Sequence, residues 1–174
     1  ITDDGIKNEL GKILSAKGLN PKLISAITEY NIYFNHHMMD SLQVSQDKLT
    51  SVITNYLEQK SNILQVVELR KAAIAPIPQS IRERIVNGFN SQRSGDLMFI
   101  TKSGVVGGGN TGTGHGVFYN YDAHIPLLFY GKGIKKGQVN NVNYMTDIAP
   151  TITTLLGIQM PSGSIGKPIL EVIQ

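Results

Sequence analysis

The residues best equipped for chemistry lie in one glycine-rich stretch, Gly112-Thr113-Gly114-His115-Gly116. Imidazole changes charge near neutral pH and is the commonest metal ligand among side chains. Flanking glycines remove bulk and permit unusual backbone angles, so His115 can project from a tight loop at the end of a strand. The residues alone leave a ligand or catalytic role and a structural histidine both open. His124 follows nine residues later, an odd spacing that turns it to the opposite face of an extended segment and argues against a shared site. Thr113, Asp122 and His124 are the candidates for supporting positions, with Asp122 and His124 expected as a packing or orienting pair.

Other motifs carry less. In Asn35-His36-His37-Met38-Met39-Asp40 an extended backbone would point the two imidazoles to opposite faces. A helix would put His36 and Asp40 on one face, which supplies two ligands where a metal site normally takes at least three protein groups. The expectation is a solvent-facing strand end before a helix. Gly107-Gly108-Gly109-Asn110-Thr111-Gly112 satisfies G-x-G-x-x-G in form. That pattern binds pyrophosphate through a helix starting at once after the glycines, and Val117-Phe118-Tyr119-Asn120-Tyr121 does not read as one. No acidic residue stands about twenty positions on to hold a ribose. A flexible connection is expected instead. There is no G-x-S-x-G elbow and no cysteine to act as nucleophile.

The elements that must position these residues change character along the chain. Ile6, Leu10, Ile13 and Leu14 repeat at helical spacing, which predicts a helix from about Asp4 to Lys17 with Gly18 as a left-handed stop. Leu23 to Asn35, broken at Thr28-Glu29-Tyr30-Asn31, predicts two short strands around a turn. Ser45 is the expected N-cap of a helix carrying Leu49, Val52, Ile53, Tyr56 and Leu57 on one face. Ile63 to Leu69 reads as a strand. Ser80 to Asn87 reads as a short helix, capped by Ser80 with Glu83 and closed by Gly88. Asp96 to Thr101 and the unbroken run Ile125 to Tyr130 are expected as buried strands. Asp147 should cap a helix from Ile148 to Leu156, stopped by Gly157.

With 174 residues, 41% of them hydrophobic, the chain fits one soluble medium-sized domain, and disorder throughout is excluded. A net charge of +3, spread along the chain, gives no clustered basic stripe of the kind nucleic acid requires. No apolar run approaches the roughly 18 residues of a membrane span. The chain opens on Ile1 without Met, and Asp3 and Asp4 stand where a signal peptide would carry Lys or Arg, so further residues upstream are expected. With no internal repeat and no low-complexity linker, residues 1–174 are read as a single unit, with a helix-rich region at 1–90 and a sheet and histidine-loop region at 91–174.

Taken in order, Gly112-Thr113-Gly114-His115-Gly116, then Tyr119-Asn120-Tyr121-Asp122-Ala123-His124-Ile125-Pro126-Leu127-Leu128-Phe129-Tyr130-Gly131, then Asp147-Ile148-Ala149-Pro150-Thr151 closely resemble the C-terminal end of zinc-dependent alkaline phosphatases of the PafA type. Those enzymes are related to type I phosphodiesterases and nucleotide pyrophosphatases. Ser94-Gly95-Asp96 fits the strand before the histidine loop, and residues 1–90 match more loosely.

The resemblance implies an α/β fold, part of a three-layer αβα arrangement with a mixed sheet, and two zinc ions at strand ends. It implies phosphate-ester hydrolysis through a phospho-enzyme, with His115 as a zinc ligand. The nucleophile, the phosphate contacts and the other ligands would lie N-terminal to Ile1, in a missing part of the same polypeptide. The chain alone is therefore expected to be inert and not to retain zinc. A phosphodiesterase or nucleotide pyrophosphatase, or a non-catalytic binding module, are the rival readings. A periplasmic or secreted location follows from the family alone. A sheet cut from a larger layer should also leave exposed apolar surface.

Overall fold

The computed structural model describes residues 2–107 and 114–173. By contacts the chain divides into two compact units, Ile1–His124 and Ile125–Gln174.

The first unit is built on a four-stranded sheet in the order β1-β2-β4-β3, with β1 at Ile24–Thr28, β2 at Asn31–Phe34, β3 at Ile63–Glu68 and β4 at Leu97–Thr101. The three pairings are antiparallel. Helices α1 (Asp3–Ala16) and α3 (Gln46–Leu57) bury the predicted stripes Ile6, Leu10, Leu14 and Leu49, Ile53, Leu57. These residues share a core with Ile32, Leu97 and Phe99 of the sheet. Strand alternation sends Val67 and Ile100 to a second cluster with Ile77, Ile81 and Ile85, the last two from α4 (Gln79–Gly88). Helices thus cover both faces of the sheet, and fully burying a Leu or Ile side chain contributes roughly 1.5–3 kcal/mol.

Several local expectations hold. Gly18 takes φ 71 after α1 and Gly157 takes φ 63 after α6 (Ile148–Leu156). Ser45 caps α3 by accepting the Lys48 N–H. The turn between β1 and β2 has Glu29 at φ 48 and Tyr30 at φ 67, so both central residues are left-handed, as the two-residue turn that matches strand twist requires.

Four expectations are corrected. The helix at 80–87 is not capped by Ser80: α4 begins at Gln79 after Pro78, and the Gln79 amide donates to Glu83 at 2.7 Å, so the Glu83 carboxylate is engaged elsewhere. Nor does Gly88 close it, because Phe89 leaves in extended conformation and packs on the second cluster. His36 is not a strand end; it opens the short helix α2 (His36–Ser41), capped by Asn35. The run Ile125 to Tyr130 forms no strand: it has no ladder partner among the described residues, and Leu128 and Tyr130 are 88% and 99% exposed. Such an apolar run becomes a strand only where a sheet pairs and covers it.

Gly95, just before β4, lies close against the backbone of β2. A Cβ there would stand 2.9 Å from the Ile32 carbonyl oxygen and 3.1 Å from the Asn31 Cβ, and strand backbone cannot yield as a flexible side chain can. Gly95→Ala should cost about 1–3 kcal/mol, the usual range for overpacking, read as a lowered urea midpoint at unchanged slope.

In the second unit Asp147 opens α6 but spends its carboxylate on other backbone. Its oxygens accept the Lys167 N–H at 2.9 Å and the Tyr144 N–H at 2.8 Å. These two bonds, the one to Lys167 foremost, hold its pKa below the ordinary 3.8. A depressed carboxylate stabilises the folded form above its unfolded pKa, and that contribution is lost as pH falls through the lower folded value. The Lys167 and Tyr144 amides should therefore lose hydrogen-exchange protection below about pH 4. Unchanged protection there would exclude the linkage.

Candidate functional site

The histidine loop is held at its two ends. On the incoming side, Thr101 closes β4 and its hydroxyl donates to the Val105 carbonyl at 2.8 Å. The Gly107 N–H then donates to the Tyr30 hydroxyl at 2.6 Å. Tyr30 is one of the two left-handed residues of the β1–β2 turn and meets Phe99 edge to face, with ring centres 5.5 Å apart. A non-glycine residue in that region costs of order 1–3 kcal/mol; here the cost places a tyrosine at the hairpin tip, under the loop.

Gly108, Gly109, Asn110, Thr111, Gly112 and Thr113 lie outside the described residues, and with them the G-x-G-x-x-G reading and the supporting role expected of Thr113. On the outgoing side, a Cβ at Gly114 would meet the Gly107 carbonyl at 3.0 Å, so the two ends of the loop touch.

His115 comes next and is exposed. After it Gly116 turns at φ 104, beside the Tyr30 ring. The Asp122 carboxylate accepts the Gly116 N–H at 2.6 Å and the Val117 N–H at 2.7 Å. Asp122 sits on α5 (Asn120–Ala123). The neighbouring rings anchor that helix to β4: the Tyr119 hydroxyl donates to the Thr101 carbonyl at 2.7 Å, and Tyr121, stacked on Tyr119, accepts the Gly104 N–H. Burial, and then the neighbouring Tyr121, push the Tyr119 phenol up, which keeps it protonated as a donor.

His115 is thus carried on a backbone fixed on both sides while its ring faces solvent. Asp122 grips the peptide groups next to it rather than its ring. Asp122 and His124 are joined by no hydrogen bond or ion pair among the described residues, and His124 is exposed at the end of α5. Among the described residues no three His, Asp or Glu side chains converge as a metal cage would. One imidazole is what this loop offers.

A second cluster was not singled out by sequence. Asp96 is buried at the start of β4, where its N–H donates to the Ile32 carbonyl and its own carbonyl accepts the Leu69 N–H. Its Oδ2 accepts the Phe34 N–H at 2.8 Å, and its Oδ1 lies 2.9 Å from His36 Nε2. The carboxylate thereby stands in for the ladder that β4 has not yet begun. The pairing spans 60 residues of sequence, so no spacing pattern could have shown it.

A helix-covered antiparallel sheet leads into a clamped loop that presents one histidine, an α/β arrangement. No family model matches the chain. It is 39% identical over 171 residues to the alkaline phosphatase PafA of Elizabethkingia meningoseptica, covering 98% of this chain and 31% of that protein. Over 148 residues it is 38% identical to the alkaline phosphatase PhoV of Synechococcus elongatus, covering 85% of this chain and 27% of that protein. A protein of Myroides odoratus named calcium-transporting ATPase is 36% identical over 97% of the chain and 31% of its own length. The crystal structure of wild-type PafA superposes with a TM-score of 0.90 at 38% identity, covering 99% of this chain and 33% of that one. The resemblance to PafA-type alkaline phosphatases is borne out in sequence and in fold, and the chain spans about a third of the length of these relatives. No helix among the described residues is long and apolar enough to cross a membrane.

Proposed function

We propose that this chain is the C-terminal portion of a zinc-dependent phosphomonoesterase of the PafA type, in which His115 is one zinc ligand and the other ligands and the nucleophile come from the rest of the polypeptide. The similarity to PafA, 39% identity over 98% of the chain, carries the reading. The exposed apolar residues of the second unit support it: Leu128 is 88%, Tyr130 99%, Ile165 85% and Leu170 68% exposed. On this reading they meet the remainder of the protein, residues 1–174 form one part of a larger domain, and the enzyme is periplasmic or secreted.

Bound zinc would supply Lewis-acid charge at a phosphoryl oxygen. The residues present do the positioning. Tyr30 and Asp122 fix the backbone before and after His115, and its exposed imidazole is the donor this chain contributes. One imidazole holds no catalytic zinc by itself. Assayed with added zinc on a phosphate monoester, the natural-length protein should turn over and the 174-residue chain should not. Zinc-dependent turnover by the chain alone would defeat the reading.

A further inference from the structure

The cleft beside the Asp96–His36 pair lies on the first unit, apart from the histidine loop, and encloses about 310 Å³. That is the lower end of the range for small-molecule sites. Arg70, from the turn after β3, and Arg93, from the turn before β4, line it together with His36, Asp96, Tyr33 and Phe89. Among the described residues neither guanidinium has an ion pair or a hydrogen-bonded partner, whereas Arg82 and Arg84 each bond a backbone carbonyl. Asp96 is the one acidic residue among the lining side chains, and both its oxygens are engaged, by His36 and by the Phe34 N–H. It therefore fixes the imidazole through Nε2 and leaves Nδ1 as the ring nitrogen open to a ligand.

We infer that this cleft binds a small organic oxyanion, a phosphonate, phosphate or carboxylate carried on a single ring. Two guanidinium forks that lack partners recognise a planar or tetrahedral oxyanion through paired charge-assisted hydrogen bonds. Tyr33 and Phe89 line the otherwise polar cleft with half-buried aromatic rings, against which a ligand ring can lie. The inference does not depend on the zinc reading of His115, which concerns a different loop.

The test uses the natural-length protein with ¹³C-labelled histidine rings, the His36 signal being assigned from His36→Gln. Phenylphosphonate, which resists hydrolysis at its P–C bond, should move that signal saturably and leave the His37 signal in place. In Arg70→Gln/Arg93→Gln the His36 titration should weaken at least tenfold, since two charge-assisted contacts are lost at once. Benzoate should compete, and phenol should leave the signal still. The proposal is overturned if phenol moves His36 equally, if phenylphosphonate fails to move it at millimolar concentration, or if the double variant titrates like the parent. Binding at a metal centre elsewhere in the protein would survive the double variant and leave His36 unmoved. Inorganic phosphate binding as tightly as phenylphosphonate would overturn the ring as part of the recognised group.

Discussion

If His115 is the zinc ligand proposed above, replacing it by alanine in the natural-length protein should abolish zinc-dependent phosphomonoester turnover while leaving the fold intact. A group that only orients a metal ligand is worth roughly 10–100-fold in metal affinity or activity when removed, and a ligand itself should exceed that. The ring is exposed, so its removal leaves no cavity, and stability should stay within about 0.5 kcal/mol of the parent. Metal content by elemental analysis, kcat/KM and thermal melting together separate loss of a ligand from loss of structure. Asp122→Ala grades the effect. It frees the Gly116 and Val117 N–H groups and lets the turn after His115 relax, so zinc affinity should fall by the smaller, roughly 10–100-fold amount. A His115→Ala protein with full zinc content and parental kcat/KM would remove the histidine from the site altogether.

The second large effect belongs to stability. Asp96→Ala should cost about 3 kcal/mol or more, because it removes a buried acceptor from a buried donor, and each orphaned group costs roughly 1–3 kcal/mol before the lost charge-assisted bond to His36 is counted. In a chain of this size each kcal/mol shifts the melting midpoint by roughly 2–4 °C, so the drop should be easily resolved. Asp96→Asn keeps an oxygen for the Phe34 N–H and should lose clearly less. The Asp96→Ala/His36→Ala pair should fall short of the sum of its single effects, since the residues touch. Additive effects, or a loss under about 1 kcal/mol for Asp96→Ala, would show that the sheet does not need this carboxylate.

The Asp96 result turns on partners about 60 residues away in sequence, and such distance divides what was legible from what was not. Periodicity placed α1 and α3 and their buried faces, because a helix buries residues three and four apart whatever it packs against. Gly18 and Gly157 were legible as stops because left-handed backbone favours glycine strongly enough to read locally. The motif order around His115 pointed to the phosphatase resemblance that the PafA structure bears out.

Other features were decided by partners. Whether Ile125 to Tyr130 is a strand depends on a neighbouring sheet to satisfy its backbone, and composition cannot supply one. The capping box at Ser80 was plausible by pattern, yet the preceding Pro78 and the Gln79–Glu83 bond moved the helix start. Tyr30 read as part of an ordinary turn; only the fold brings its hydroxyl beneath Gly107, 77 residues away. His36 and Asp96 likewise had no sequence signal as a pair. The amino-acid sequence by itself determined α1, α3 and α6, the hairpin and the presence of an imidazole on a glycine turn, since each follows from preferences acting within a few residues. The tertiary structure alone decided that Tyr30 holds the incoming end of that loop and what surrounds the buried carboxylate, because hydrogen bonds over such separations exist only after the sheet has formed.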